Sequence, residues 1–205
     1  MSDPDGTIRL ELDDDVAVLT IDRPRRRNAL NGPMWAELAL RVAEARAAGP
    51  RALIVTGAGA HFCAGMDLKP DNPLLPRILP AVMEGDTGVA REVIDELKAG
   101  MVGLLEFPAP TFAAVEGVAV GGGYEVALHC DVIVAARSAF VGLPEVRVGM
   151  VPDVGGMTLL TRRVGPGRAV LAIATGRLFD APAAFDLGMV DVLCEPGAAL
   201  ETARG

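Results

Sequence analysis

An α/β fold is predicted by three features of the sequence. Two short strand-like runs open the chain on either side of a polar turn, a helical pattern then leads into a short and fully apolar strand, and a later strand runs into a glycine-rich turn at the head of another helix. Strand, helix, strand order of this kind indicates a wound sheet with helices packed on it. With 205 residues, 51% of them hydrophobic, the chain can bury a sizeable core and is expected to form one domain over residues 1–205. Nineteen basic against 27 acidic residues give a net charge of −8, which argues against a nucleic-acid partner, since that surface needs a broad positive field. Cys63, Cys130 and Cys194 are an odd set without metal spacing, and the acidic start MSDPDGTIRLELDDD does not read as a signal peptide. A cytoplasmic protein with reduced thiols and no metal is the simple expectation. The most apolar stretch, Ala99 to Tyr124, is broken by Glu106, Glu116, Pro108 and Pro110, so no run approaches the ~20 apolar residues of a membrane span.

Taken in order, Thr7 to Leu12 alternates as a strand, Asp13 to Asp15 makes a polar turn, and Val16 to Ile21 is a second strand, giving a β-hairpin. Four arginines follow, Arg23, Arg25, Arg26 and Arg27, a local exception in an acidic chain; without context such a run is a solvated loop. Pro33 to Ala48 is a helix, with proline near its first turn, an apolar face from Met34, Leu38 and Val42, and Gly49-Pro50 as its stop. Trp35 belongs to the core or to an interface. Ala52 to Thr56 (ALIVT) has the continuous apolar character of a buried parallel strand. The loop after it contains Gly57-x-Gly59, but Phe62 stands where a dinucleotide fingerprint needs its third glycine. His61 reads as a plain loop histidine. Lys69 to Gly88 has no clear periodicity, Val89 to Leu105 is a helix, Phe107-Pro-Ala-Pro110 breaks it, and Thr111 to Val115 is a strand.

That strand feeds Gly121, Gly122 and Gly123, followed at once by Tyr124, Glu125 and an apolar helical run. Backbone N–H groups at a helix start are unpaired, glycines let an oxygen approach them, and the helix dipole favours negative charge there. An oxyanion site is the expectation. Glu145 follows Glu125 by 20 residues, after the strand-like VIVAA and the turn formers Gly142 and Pro144. Two carboxylates beside an oxyanion-binding turn suit proton chemistry next to a carbonyl; alone, either would be a surface residue or a paired core carboxylate. Asp153, just before Gly155, Gly156 and a helical run, suits an N-cap. Gly165 to Ala174 and Pro182 to Leu187 are helices, and Gly188 to Leu193 is a closing strand.

Asn28-Ala-Leu-Asn31, HFCAGMDL at 61–68, AVxGxAxGGGxE at 114–125 and LPE at 143–145 occur in the order seen in the enoyl-CoA hydratase/isomerase, or crotonase, superfamily. The chain resembles that family over nearly its whole length. The resemblance implies a crotonase-like spiral of ββα units with a perpendicular sheet pair and surrounding helices, with the C-terminal helices that cover the acyl pocket and build a trimer or hexamer missing. It also implies an acyl-CoA thioester substrate, of which coenzyme A is a part, with no metal or redox cofactor. The backbone N–H groups of Met66 and Gly122 match the family's oxyanion donors. Glu125 matches the base acting on water, and Glu145 the proton donor to the α-carbon. Arg26 or Arg27 would meet coenzyme phosphates, and Ala29, Ala64, Asp67, Leu68 and Lys69 would border the coenzyme and acyl group. The least regular stretch and Val89 to Leu105 would border the acyl chain.

Hydration of a 2-enoyl thioester is the activity this implies. Asp153 departs from the usual hydratase glycine and lies 8 residues after Glu145, where dienoyl-CoA isomerase relatives carry a functional aspartate. A double-bond isomerase is therefore the alternative, and a non-catalytic acyl-CoA-binding subunit is another.

Overall fold

The computed structural model describes residues 6–13 and 15–205. Thr7–Asp13 (β1) and Val16–Asp22 (β2) form the expected antiparallel hairpin, with Thr7 opposite Asp22 and Asp13 opposite Val16. Asp14 of its turn, and residues 1–5 of the acidic start, lie outside the described residues. β2 continues in parallel onto Ala52–Gly57 (β3), Thr111–Val115 (β4), Val132–Ala136 (β6) and Val192–Cys194 (β9), so that the six-stranded sheet runs β1-β2-β3-β4-β6-β9. The middle strands are buried at nearly every position, which is why they read as continuous apolar runs rather than alternating ones.

The helix Gly32–Ala48 (α1) is capped by Asn31, whose side chain accepts from the Met34 N–H, and ends at Gly49 in the left-handed region. It packs against Thr87–Leu105 (α3), which starts at an Asp86 cap. The irregular segment before α3 holds a further helix, Leu75–Glu84 (α2), with Pro80 inside it. A smaller sheet of Val118–Val120 (β5), Phe140–Gly142 (β7) and Phe179–Asp180 (β8) stands apart from the main one. Gly122–Leu128 (α4) springs directly from β5.

The C-terminal region comprises Gly156–Val164 (α5), Pro166–Thr175 (α6), Ala181–Asp186 (α7) and Ala199–Arg204 (α8). Here the expected closing strand shifts. Gly188, at φ 79°, turns the chain out of α7, and Asp191 is held by the Ile133 N–H and by Arg163, so pairing starts only at Val192. The last helix, α8, was not anticipated. Glu116 holds its start by accepting from the N–H groups of Gly197 and Ala199. Among the described residues no helix is long and apolar enough to cross a membrane, and no group of His, Cys, Asp and Glu could hold a metal ion. All three cysteines are buried free thiols.

Candidate active site

The site is assembled by stitching the loop after β3 onto β5. Cys63 donates its N–H to Val118 O and accepts from Val120, while Phe62 donates to Glu116 O. On its other side, Gly65 O accepts from Leu30 and Asp67 N–H donates to Leu30 O. These bonds deliver Met66 beside the start of α4. Gly121 is the N-cap of that helix at φ 56°, a conformation a side chain would strain. A Cβ placed on Gly65 would lie 2.7 Å from Val120 O and 3.1 Å from Gly122 N, and one on Gly122 would lie 3.7 Å from Met66 N. The two predicted donor loops thus touch. Neither the Met66 nor the Gly122 N–H has a protein acceptor among the described residues.

Glu125 sits on α4, buried, and its Oε1 accepts from the N–H groups of Gly156, 2.8 Å, and Val154, 3.2 Å. This contradicts the N-cap expected of Asp153. α5 starts at Gly155 with no side-chain cap from its own segment, because Glu125 takes the free donors there. His129 steadies the arrangement by bonding through Nδ1 to the carbonyl of Glu125, 2.8 Å, and burial holds its pKa below the ordinary histidine value, favouring the neutral ring.

Glu145 opens a single 3-10 turn, Glu145–Val148, after Pro144. It is buried, and neither carboxyl oxygen has a hydrogen-bond partner among the described residues. Its Oε1 lies 3.4 Å from the Cβ position of Gly121. Burial lifts Glu125 to about 8, opposed by the Gly156 N–H and assisted by the charges of Glu145 and Asp153. Burial likewise lifts Glu145 to about 7, with Asp153 adding to the rise. The pair therefore shares one proton near neutrality. Deeper burial raises Glu125 further than Glu145, whereas the two N–H donors on its Oε1 favour charge on Glu125, so the shared proton belongs to the pair rather than to either residue.

Met66, Gly122, Glu125, Glu145 and Asp153 all line one cavity of about 270 Å³. Ala64 and Leu68 line it too. The remaining predicted contacts do not. Asp67 is buried the other way, its Oδ2 2.6 Å from Arg23 Nη1, with Oδ1 accepting from the Lys69 N–H. That ion pair, and the Asn72 amide on Asp67 O, fix the residue next to Met66. Asp67 thus corrects the expectation of a pocket residue: a neighbouring guanidinium inside the fold outcompetes the cavity. Lys69 and Arg27 are exposed, Arg26 pairs with Asp71 at 3.0 Å, and Ala29 is buried with its carbonyl on Arg23. Trp35, Leu97, Arg147, Val148 and Met150 line the cavity without having been singled out as site residues. Trp35 lies in the first turn of the helix that Asn31 caps, and that proximity to the Asn28–Asn31 motif was the available signal. For Arg23 no spacing pointed to a partner 44 residues away.

The enoyl-CoA hydratase/isomerase family matches residues 11–204. A "probable enoyl-CoA hydratase" of Rhizobium meliloti is 36% identical over 97% of this chain and 73% of its own length. The short-chain-enoyl-CoA hydratase of Clostridium acetobutylicum is 35% identical over the same shares of each chain. The crystal structure of an enoyl-CoA hydratase from Bacillus anthracis superposes with a TM-score of 0.83 at 32% identity, covering 96% of this chain and 73% of that one. The fold is thus the crotonase-like α/β fold, and the chain belongs to the enoyl-CoA hydratase/isomerase family of enzymes.

Proposed function

We propose that the chain adds water across the 2,3 double bond of a 2-enoyl-CoA thioester. The observation that carries this reading is the convergence of two unpaired backbone N–H groups and two glutamates on one cavity. With the thioester oxygen between the N–H groups of Met66 and Gly122, charge that develops there as the enolate forms meets fixed donors, and losing one such donor typically costs ~10²-fold or more in rate. Glu125, its Oε1 held by Val154 and Gly156, uses Oε2 to take a proton from water as the water oxygen bonds to the β-carbon. Glu145 gives its proton to the α-carbon, which resolves the enolate. The proton gained by Glu125 then restores Glu145, and the net change is one water added. Apolar walls from Leu68, Leu97, Val148 and Met150 suit a hydrocarbon chain. Acyl-CoA is thus the proposed small-molecule partner.

The test is the conjugated enoyl-thioester absorbance of short and medium trans-2-enoyl-CoA mixed with the purified chain, beside E145Q. Rapid loss that disappears in E145Q supports the reading, and an inert wild type sinks it. A second reading, double-bond isomerisation, is favoured by Asp153, which lines the same cavity with its pKa raised by burial. D153N that leaves hydration within a few fold points away from it, whereas a variant dead on dienoyl-CoA alone points toward it.

A further inference from the structure

A single β-bridge aims the Met66 N–H. Leu30 pairs with Met66 in parallel, its N–H donating to Gly65 O at 2.8 Å and its carbonyl accepting from the Asp67 N–H at 2.9 Å. Alternate peptide groups of an extended segment face opposite sides, so Gly65 O and the Asp67 N–H turn toward Leu30 while the Met66 N–H turns away from it. On that other side stands Gly122, whose Cβ position lies 3.7 Å from Met66 N. Two hydrogen bonds form the bridge, and pairing so short depends on what clamps it. Arg23 straddles it. Arg23 Nη1 donates to Ala29 O at 3.1 Å and to Asp67 Oδ2 at 2.6 Å, the residues immediately before Leu30 and after Met66. Asn28, in the left-handed region at φ 59°, fixes the base of the arginine by accepting from its backbone N–H at 2.9 Å. As a source of stability the ion pair is poor. Arg23 and Asp67 are 7% and 4% exposed, and Arg23 Nε is buried without an acceptor among the described residues. Apolar side chains of like volume in place of such a pair are often neutral or stabilising.

We infer that Arg23 is a positioning residue: its guanidinium, held between Ala29 O and Asp67, locks the Leu30–Met66 bridge so that the Met66 N–H points at the thioester oxygen. The buried charges contribute direction to an oxyanion donor rather than stability to the fold. The inference rests on reading the cavity as an acyl-thioester site.

The test compares the wild type with the double variant Arg23→Met/Asp67→Leu, in which neither charge is left unpaired. Urea unfolding shows that variant folded and about as stable as the wild type. Its kcat on crotonyl-CoA nonetheless falls about tenfold while KM changes by less than about threefold, because a misdirected donor is missed most where charge develops. A second readout needs no turnover. Isotope-edited infrared spectra of butanoyl-CoA carrying ¹³C at the thioester carbon show the carbonyl band of the bound ligand lowered by the wild type and lowered less by the double variant, since the shift reports the hydrogen bonds on that oxygen. Arg23→Lys keeps a charge for Asp67 on a shorter stem, shows both effects in weaker form, and carries the test if the double variant does not fold. A carbonyl band unchanged from wild type to variant overturns the inference, whatever kcat does, and leaves the acyl site intact. A wild type inert on crotonyl-CoA whose bound band is lowered, and lowered less in the variant, sinks the hydratase reading and keeps the inference. Failure of butanoyl-CoA to bind the wild type overturns the acyl-site reading itself, and the inference with it.

Discussion

Replacing Glu145 by Gln should abolish turnover and, above neutral pH, make the protein more stable. Glu145 is buried with both carboxyl oxygens unpartnered, and its pKa is lifted by that burial from an ordinary 4.5 to about 7. A carboxyl with a raised folded-state pKa binds its proton more tightly when folded. Its stabilising contribution is therefore complete below 4.5 and is lost as the pH rises through 7. At about 1.4 kcal/mol per pH unit the rise corresponds to ~3 kcal/mol, and relaxation of the fold around the charged carboxylate reduces this to about 2 kcal/mol. The glutamine side chain keeps the shape and carries no charge. Urea unfolding at pH 9 should thus show E145Q about 2 kcal/mol more stable than the parent, with a melting temperature higher by roughly 4–8 °C for a chain of this size. At pH 5 most of the difference should vanish. A variant no more stable than its parent at pH 9 would refute the view that Glu145 is an unpaired buried carboxylate held for chemistry rather than for the fold.

Three other outcomes follow from the same geometry. The pH profile of kcat/KM should be bell-shaped, with limbs near 7 and 8, because a second proton on the glutamate pair quenches the base and loss of the shared proton removes the acid; a flat profile from pH 6 to 9 would contradict this. Gly65→Ala should lower kcat about 10²-fold, since its methyl would lie 2.7 Å from Val120 O and push Met66 away from Gly122 at a residue already at φ 88°; stopped-flow turnover on enoyl-CoA checks it. Asp67→Ala leaves Arg23 charged, buried and unpaired, so denaturant unfolding should register a loss of about 3 kcal/mol, much of it restored when Arg23→Met is added.

What the sequence made legible was local. The hairpin, α1 with its proline start and glycine stop, the buried parallel strands and the glycine turn into α4 each follow from a pattern within a dozen residues. A second sheet was implied only by the family resemblance; the strands β5, β7 and β8 themselves are illegible in the residues because they are two or three residues long and exist through pairing, not propensity. Pro80 hid α2 for a related reason: propensity argues against a helix that neighbouring packing sustains. At the site, seven of the expected residues share one cavity: Ala64, Met66, Leu68, Gly122, Glu125, Glu145 and Asp153. Side-chain partnerships were beyond reach. Asp67 chose Arg23, and the donors expected to meet Asp153 went to Glu125, because each pairing depends on which distant loop arrives in hydrogen-bond range.

The most direct test of the central claim is turnover of crotonyl-CoA in water labelled with ¹⁸O. Hydration by Glu125 and Glu145 predicts a product that retains its thioester and gains one ¹⁸O atom at C3, with no label acquired by product in E145Q. An isomerised product without ¹⁸O, or a free acid carrying the label at its carboxyl group, would contradict it.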